Sequence, residues 1–452
     1  NSNWDSTIVI GEIIFEIAIE VTVSSEIGSV QAFELENQTV LGGDGSWLTS
    51  LREDARKKAI EIGFPAPSEE IWRYSRVEDL TSLSLRVGLS KPIIKLFDGV
   101  PPLLDGLKAS LVASSSLYLE VAPGSLDIYD QAKNSEVLSV SHISDITKPH
   151  WDEYLLMDDF FSAYSLAYSQ DHYVISIADN AKIDEPIVIN YRVPGEDVAF
   201  LPRVVVVLGD GSQANVIEFI SSEPSVSFVG ANFLSCLGAG SNLYHYQIQD
   251  LSKDGYIVAN CSARISDHAK LEFGVFSFGG SYARVRAESH LDGADAKAYL
   301  KAAYFASGSQ MLDFRTLQDH HAPNTFSELL FKGAVSENSH SVYSGLVRIE
   351  EGASRSDAFQ TNRNLVLSEG ARADSVPNLD IRENNVRCSH ASAVGPIDPE
   401  MVFYLESRGI DPERAKRIIV KGFFNEIMEG IASSEAVEVI NELVDIKLRE
   451  TL

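Results

Sequence analysis

The stretch NNVRCSHASAVG, residues 384–395, places a thiol and an imidazole two positions apart, at Cys388 and His390. If this stretch is extended, residues i and i+2 project from the same face, and Ser389 points to the other. Iron accepts thiolate and imidazole ligands, so the pair could form part of an iron site. Two side chains are too few for four ligands, and the others would come from another subunit or a transient ligand. A structural pair in a core or interface is the alternative.

The other histidine and cysteine residues favour structural roles. His320 and His321, in QDHHAP, are adjacent and would point to opposite faces of a strand, which favours hydrogen-bonded structural positions. Cys236 in FLSCLG and Cys261 in VANCSA have apolar neighbours and are predicted to be buried small residues.

Several common catalytic and metal motifs are absent from the sequence. It contains no GxxxxGK[ST], so we expect no ATP bound by this chain itself through a phosphate loop. HExxH, a CxxC pair and GxSxG are also missing, so the sequence contains no motif that indicates a zincin, a zinc ribbon or a serine hydrolase.

Composition indicates a globular, acidic protein. Of 452 residues, 44% are hydrophobic and 23% are charged, which is enough for a substantial core. The formal charge of -28 repels nucleic acid and anionic membrane surfaces on average, so neither is an expected partner. Three widely spaced cysteines do not form a disulfide framework, which fits a reducing, cytoplasmic location.

The N-terminal region, residues 1–110, reads as an extension followed by helices. Residues 7–23 are apolar but carry three glutamates, so we interpret them as neither a signal peptide nor a membrane span and leave their local structure open. From Trp47 to Ile62, apolar residues recur at helical spacing, and Gly63 and Pro65 end the run.

Residues 111–395 are predicted to be a β-solenoid. Short runs rich in Val, Ile, Tyr and Phe alternate with Gly, Asp, Ser and Asn turns, without helical segments between them. The turn signals recur at intervals of roughly 28 or 14 residues, which favours stacked coils. A β-sandwich is the competing interpretation.

Residues 396–452 return to helical patterns. Asp398 with Pro399, and Asp411 with Pro412, are typical helix starts, and Gly409 ends the first of these helices. In the second helix, apolar residues including Phe423 and Ile427 recur in steps of four. This helical module either closes the end of the solenoid or docks a partner.

The C-terminal part of the chain resembles the SufB/SufD family of iron–sulfur cluster assembly scaffolds. The resemblance runs through QTNRNLVLSEGA, PNLDI, the Cys-Ser-His triplet and FYLESRGI. SufB-type chains have a Cys in the position of Leu405, which this chain lacks, so it is most similar to the SufD type. The resemblance implies a right-handed parallel β-helix flanked by helical regions, in agreement with the solenoid predicted from spacing.

The same resemblance implies partners and a site. A SufB-like subunit would pair with the β-helix, and the C-terminal helices would dock a SufC-like ATPase, with Phe423, Phe424 and Ile427 as anchors. His390 and Cys388 would supply one side of a transient iron–sulfur cluster site shared with the SufB-like subunit. A reduced flavin in the complex is a further expectation. The chain itself is expected not to be an enzyme.

Two alternatives remain open. The first is a SufB-like scaffold acting as a homodimer, and a homodimer is also an expected state of this chain when it is alone. The second is a β-helix hydrolase or lyase acting on a polysaccharide. That activity needs paired carboxylates or a basic cluster on the outer face of the coils, for which DFRTLQDHH is the nearest candidate.

Overall fold

The computed structural model describes residues 46–81, 83, 85–87, 92–97, 106–130, 136–155, 157–194 and 198–452. The apolar segment 7–23 lies outside the described residues. Within the described ranges, no helix is long and apolar enough to cross a membrane.

Six α-helices occur in the described part of the chain. They are α1 (Ser46–Ile62), α2 (Gly106–Ser114), α3 (Phe160–Tyr168), α4 (Pro399–Glu406), α5 (Pro412–Met428) and α6 (Ser434–Thr451). Short 3-10 helices span Glu70–Trp72, Val77–Leu80, Ile143–Asp145 and Asp152–Tyr154. Helix α1 has the predicted extent, and Gly63 directly after it has a left-handed φ of 74°.

Most of the remaining chain forms strands. In order these are β1 (Arg86–Val87), β2 (Ile93–Phe97), β3 (Leu117–Ala122), β4 (Ser125–Asp130), β5 (Leu138–His142), β6 (His172–Ile177), β7 (Ile187–Val193), β8 (Val198–Phe200), β9 (Arg203–Leu208), β10 (Gln213–Ser222), β11 (Ser227–Val229), β12 (Asn232–Leu237), β13 (Asn242–Asp250), β14 (Gly255–Ile265), β15 (Lys270–Ser277), β16 (Tyr282–Leu291), β17 (Lys297–Ala306), β18 (Met311–His320), β19 (Phe326–Val335), β20 (His340–Ile349), β21 (Asp357–Val366), β22 (Arg372–Ile381) and β23 (Arg387–Gly395).

The strands form two long, mainly parallel sheets that enclose the core between them. The first sheet has the order β22-β20-β18-β16-β14-β12-β9-β6-β5, and the second the order β2-β4-β3-β7-β10-β13-β15-β17-β19-β21-β23. Along the second sheet, Asn242 pairs with Lys270, 28 residues later, and Lys270 pairs with Lys297, 27 residues later. Each coil thus adds one strand to each sheet. This arrangement, a β-solenoid of about 10 turns, confirms the predicted fold and excludes the sandwich.

The turns between successive strands lie at the corners of the solenoid, where they stack on one another. At one corner, Gly211, Gly240, His268 and Asp295 all have positive φ values. The backbone N–H of each donates to a carbonyl in the turn of the next coil, for example His268 N to Ala294 O at 2.8 Å. The regular turn spacing in the sequence therefore reflects one tight turn for each corner of a coil.

Two features of the fold differ from the sequence predictions. Helix α3 interrupts the strands that were predicted to follow one another without helices, and all of its side chains are buried. Its sequence FFSAYSLAY lacks an exposed polar face, so no amphipathic period marks it as a helix. In addition, the mostly helical N-terminal region contributes β1 and β2, which pair with β8 and β4.

Helices cover the outer faces of both sheets. Helices α1 and α3 pack with outward-facing residues of the first sheet in one apolar cluster. Helices α5 and α6 pack on the second sheet in another cluster. The predicted caps are present: the Asp398 side chain accepts a hydrogen bond from Glu400 N, and that of Asp411 from Arg414 N.

Candidate functional site

Cys388 and His390 lie on β23, the last strand of the second sheet. In the parallel register with β21, Cys388 is opposite Ala358 and His390 is opposite Gln360. Ala358 and Gln360 are both buried and therefore point into the solenoid. Residues in register on parallel strands share a face, so Cys388 and His390 project together toward the interior side, as predicted for an extended stretch.

Cys388 and His390 differ in exposure although they lie on the same strand. Cys388 is half-buried and packs against a small apolar cluster formed by Val347, Ile349, Ala353 and Ala358. Burial raises the pKa of the Cys388 thiol, so the thiol stays protonated at neutral pH unless a ligand or base removes the proton. His390 is exposed. The imidazole of His390 is therefore accessible from solvent.

In the described ranges, neither Cys388 nor His390 belongs to a group of three or more His, Cys, Asp and Glu side chains close enough to share a metal ion. Sequence reasoning missed Gln360, a buried amide directly opposite His390 in register. The coil spacing could have identified it, since Gln360 precedes His390 by 30 residues, close to one coil. The chain alone thus presents two ligand-type side chains rather than a complete site.

The other cysteines lie away from β23. Cys261 points into the solenoid core and is buried, as predicted, and burial raises its thiol pKa. Cys236 is only partly buried, on the outer side of the first sheet, and burial raises its pKa to about 12. Both thiols are therefore poor metal ligands or nucleophiles at neutral pH.

His320, the last residue of β18, and His321, directly after it, point to opposite sides of the sheet, as expected for adjacent residues in an extended chain. The ring nitrogens of His320 hydrogen bond to Thr325 Oγ1 at 2.7 Å and to Ser327 Oγ at 2.8 Å inside the solenoid. Burial lowers the pKa of His320 to about 4, so the ring is neutral at pH 7. His321 faces outward, with Nε2 3.0 Å from Asp319 Oδ2.

The residues predicted as anchors for an ATPase lie on α5. Phe424 and Ile427 are buried against the outer face of the second sheet, so in this structure they attach α5 to the solenoid. Phe423 is partly buried under Lys332, whose Nζ lies 4.5 Å from the ring centroid and donates to Phe423 O at 2.7 Å. A role for these residues in docking a partner stays a prediction.

The exposed apolar side chains of the C-terminal helices are not those of the predicted anchor residues. Met401, Phe403 and Tyr404 on α4 and Ile418 on α5 are exposed, Phe403 by 71%.

The buried face of α5 differs from the predicted one. The predicted apolar stripe advanced by four residues at every step, whereas the buried residues include Val420, Phe424, Ile427 and Met428. An α-helix has 3.6 residues per turn, so residues on one face recur at a mixture of three- and four-residue steps. This face of α5 packs against the second sheet.

Comparison with known proteins assigns the chain to a family. A family model described as SUF system FeS cluster assembly, SufBD core domain, matches residues 191–423, about half of the chain. An iron–sulfur cluster assembly SufBD family protein from Mycobacterium bovis is 34% identical over 299 residues, covering 62% of this chain and 71% of the relative.

Two relatives carry the name iron–sulfur cluster assembly protein SufD. The protein from Escherichia coli is 29% identical over 272 residues, covering 59% of this chain and 64% of the relative. The protein from Bacillus subtilis is 26% identical over 427 residues, covering 88% and 94%. The region matched by the family model includes all strands from β8 to β23, and β23 carries Cys388 and His390. The chain belongs to the SufBD family of the SUF iron–sulfur cluster assembly system.

Proposed function

We propose that this chain is a SufD-type scaffold subunit that pairs with a SufB-like subunit and with a SufC-like ATPase during iron–sulfur cluster assembly. Membership of the SufBD family and the two SufD relatives support the SufD assignment. In this proposal the chain positions a cluster under assembly and does not catalyse a reaction by itself. It acts in the reducing environment of the cytoplasm.

The open end of the solenoid is the observation that carries the proposal. Strands β22 and β23 end the two sheets. Their interior-facing residues Leu379, Ile381 and Val394 are exposed, since no further coil in the described part of the chain covers them. Cys388 and His390 occupy the same face of β23 as Val394. A SufB-like subunit that covered this end would bury the apolar residues and bring its own ligands to Cys388 and His390.

The cluster is the cargo of this site and would bind there only transiently. Cys388 would supply a thiolate after it loses its proton, and His390 an imidazole nitrogen. The remaining ligands, and the residue that receives sulfur, would belong to the SufB-like subunit. A reduced flavin would bind to the assembled complex as an electron donor.

The C-terminal helices are the proposed docking surface for the SufC-like ATPase. Phe423, Phe424 and Ile427 hold α5 on the second sheet, and a bound ATPase would contact the exposed residues beside them, including Phe403 and Ile418. ATP would bind to that partner and not to this chain. If the ATP-bound partner had different affinities for two arrangements of the subunits, it would shift their populations.

The test is iron and acid-labile sulfide per complex after anaerobic co-expression with SufB-like and SufC-like partners. We expect His390→Ala to lower both by at least about tenfold, since an exposed ligand is removed without disturbing the core, and Cys388→Ser to lower them less severely. The matched control is His268→Asn, which removes an exposed imidazole with 70% of its side chain accessible and keeps a residue type that tolerates the left-handed φ of 57°.

Subunit recovery distinguishes a local effect from failed assembly. The three subunits should purify together in the same ratio for the wild type, His390→Ala and His268→Asn. Unchanged iron and sulfide in His390→Ala, with assembly intact, would contradict the role of His390 and leave the chain an architectural subunit.

The nearest candidate stretch for the polysaccharide hydrolase alternative does not offer an accessible carboxyl group at Asp313. In DFRTLQDHH, Asp313 is fully buried and forms ion pairs with Arg284 and Arg315. A glycosidase needs a pair of accessible carboxyl groups flanking the substrate bond. Asp313 is held between guanidinium groups and does not provide one.

A further inference from the structure

Three side chains of metal-ligand type meet on the outer face of the first sheet, on the opposite sheet from Cys388 and His390. His290 on β16 and Asp319 on β18 are direct partners in the parallel register. His321 follows two residues after Asp319 on the same face, and its backbone N donates to Leu291 O at 3.0 Å. The fold thus joins residues that are 29 positions apart in the sequence.

The distances in this group resemble those of a metal site. Asp319 Oδ2 lies 3.3 Å from His290 Nδ1 and 3.0 Å from His321 Nε2. One ligand atom from each of the three residues can be chosen so that all three atoms lie within 4.8 Å of one another. In a tetrahedral zinc site with bonds of about 2.0–2.1 Å, ligand atoms are roughly 3.3 Å apart. Small side-chain rotations would therefore suffice to enclose an ion.

The second nitrogen of His290 has the partner expected of a metal-binding histidine. His290 Nε2 lies 3.4 Å from Glu288 Oε2, and Glu288 Oε1 accepts a hydrogen bond from Arg286 Nε at 2.6 Å. A histidine that donates Nε2–H to a carboxylate keeps its lone pair on Nδ1, the nitrogen that faces Asp319. Glu288 and Arg286 therefore orient the ring.

Asp319 is a buried carboxylate with one oxygen unsatisfied among the described residues. It is only 4% exposed, and its Oδ1 has no hydrogen-bond partner in the described part of the chain. Arg348 Nη1 lies 3.9 Å from Oδ2, but the Arg348 side chain also pairs with Asp380 through Nε at 3.4 Å. A buried carboxylate oxygen without a partner is costly, and a cation beside it would remove that cost.

The kind of donor atoms limits which metal ions would bind. The group offers two imidazole nitrogens and one carboxylate. First-row transition metal ions bind imidazole nitrogen well, whereas Mg²⁺ and Ca²⁺ favour oxygen ligands.

We propose that His290, Asp319 and His321 form a binding site for a divalent first-row transition metal ion, with Glu288 as a positioning residue. The ligand atoms would be His290 Nδ1, the Asp319 carboxylate and His321 Nε2. The His321 side chain is 39% exposed, so an ion could enter from solvent, and at least one coordination position would remain open. The ion would link two adjacent coils.

The test is Co²⁺ and Zn²⁺ binding to the purified full chain carrying Cys388→Ser and His390→Ala, which removes the other candidate ligands. We expect one equivalent of Co²⁺ with the visible absorption of a nitrogen- and oxygen-ligated ion, displacement by Zn²⁺, and a higher melting temperature with Zn²⁺. Adding His321→Gln should weaken binding at least tenfold, and adding Glu288→Gln should weaken it by about 10- to 100-fold.

The matched control is His268→Asn, since His268 Nδ1 also lies near a carboxylate, 3.8 Å from Asp295 Oδ2, and Asn tolerates the left-handed φ of this turn. Its affinity should equal that of the parent chain. A parent chain without saturable Co²⁺ absorption, or equal affinity in the His321→Gln and His268→Asn variants, would overturn the proposal. These readouts do not depend on the SUF partners, so failure here leaves the proposed function standing, and the reverse also holds.

Discussion

Asp171, directly before β6, is a carboxyl group whose charge opposes folding. Its Oδ1 accepts hydrogen bonds from Gly124 N and Tyr173 Oη, both at 3.1 Å. Burial outweighs these hydrogen bonds and raises the pKa of Asp171 to about 7. Because this value is above the unfolded-state pKa of about 3.9, the neutral form favours folding. The contribution to stability is complete below about pH 4 and is lost as the pH rises through about 7.

The first prediction is that Asp171→Asn reduces the pH dependence of the free energy of unfolding. Asn retains an Oδ1 acceptor for Gly124 and Tyr173 but cannot ionise. We compare the unfolding free energy of the variant with that of the wild type at each pH. This difference should favour the variant by roughly 2 kcal/mol more at pH 8 than at pH 5. Urea unfolding at both values measures this. Since both proteins keep the neutral, buried His172, its titration cancels in the comparison.

The control is Asp54→Asn on the exposed side of α1, which should change stability equally at the two pH values. An equal effect of Asp171→Asn at pH 5 and pH 8 would contradict the burial argument.

At the scale of elements, the solenoid depends on close contact between turns of successive coils. Gly293 lies directly over the turn of the preceding coil. A Cβ at this position would be 2.0 Å from Asp267 N and 2.3 Å from the carbonyl carbon of Ser266. These are backbone atoms within a stacked turn, so they cannot move aside as a flexible side chain could.

We therefore predict that Gly293→Ala destabilises the solenoid by roughly 2–4 kcal/mol, by forcing two stacked turns apart. The free energy of unfolding in urea, with circular dichroism as the probe, measures the effect. Gly422→Ala is the contrasting substitution, because nothing lies within 4 Å of its Cβ inside α5. There alanine should stabilise the helix by about 0.5–1 kcal/mol. Similar losses at both positions would point to a nonspecific effect.

At the scale of the whole molecule, the end of the solenoid formed by β22 and β23 differs from its middle. Interior-facing residues of the middle coils are buried, whereas Leu379 and Ile381 on β22 and Val394 on β23 are exposed. Apolar residues left uncovered on adjacent strands are typical of protein interfaces. The proposed pairing with a SufB-like subunit uses this end.

On that basis we predict that Leu379→Asp weakens pairing with a SufB-like subunit at least tenfold, because the interface would bury an unpaired carboxylate. Affinity measured by biolayer interferometry, and mass in solution, report the change. The control is Ile93→Asp on β2, an exposed apolar residue at the other end of the second sheet. Equal weakening by both substitutions, or none by Leu379→Asp, would place the interface elsewhere.

Local patterns in the sequence determined much of this protein. The repeat of turn signals predicted stacked coils, the Asp-Pro pairs predicted helix starts, and the spacing of Cys388 and His390 placed them on one face. Each of these properties depends on the conformation of a few consecutive residues, so it can be read from the sequence alone.

The tertiary structure decided which distant residues meet. Strand pairing brings His290 beside Asp319 and Gln360 opposite His390. Packing against the second sheet determines that the face of α5 with Phe424 and Ile427 is buried. These outcomes depend on the exact length of each coil and on the surface against which a helix packs. One residue more or less in a coil shifts the register and reverses the face of every later side chain in the strand, so local patterns do not contain this information.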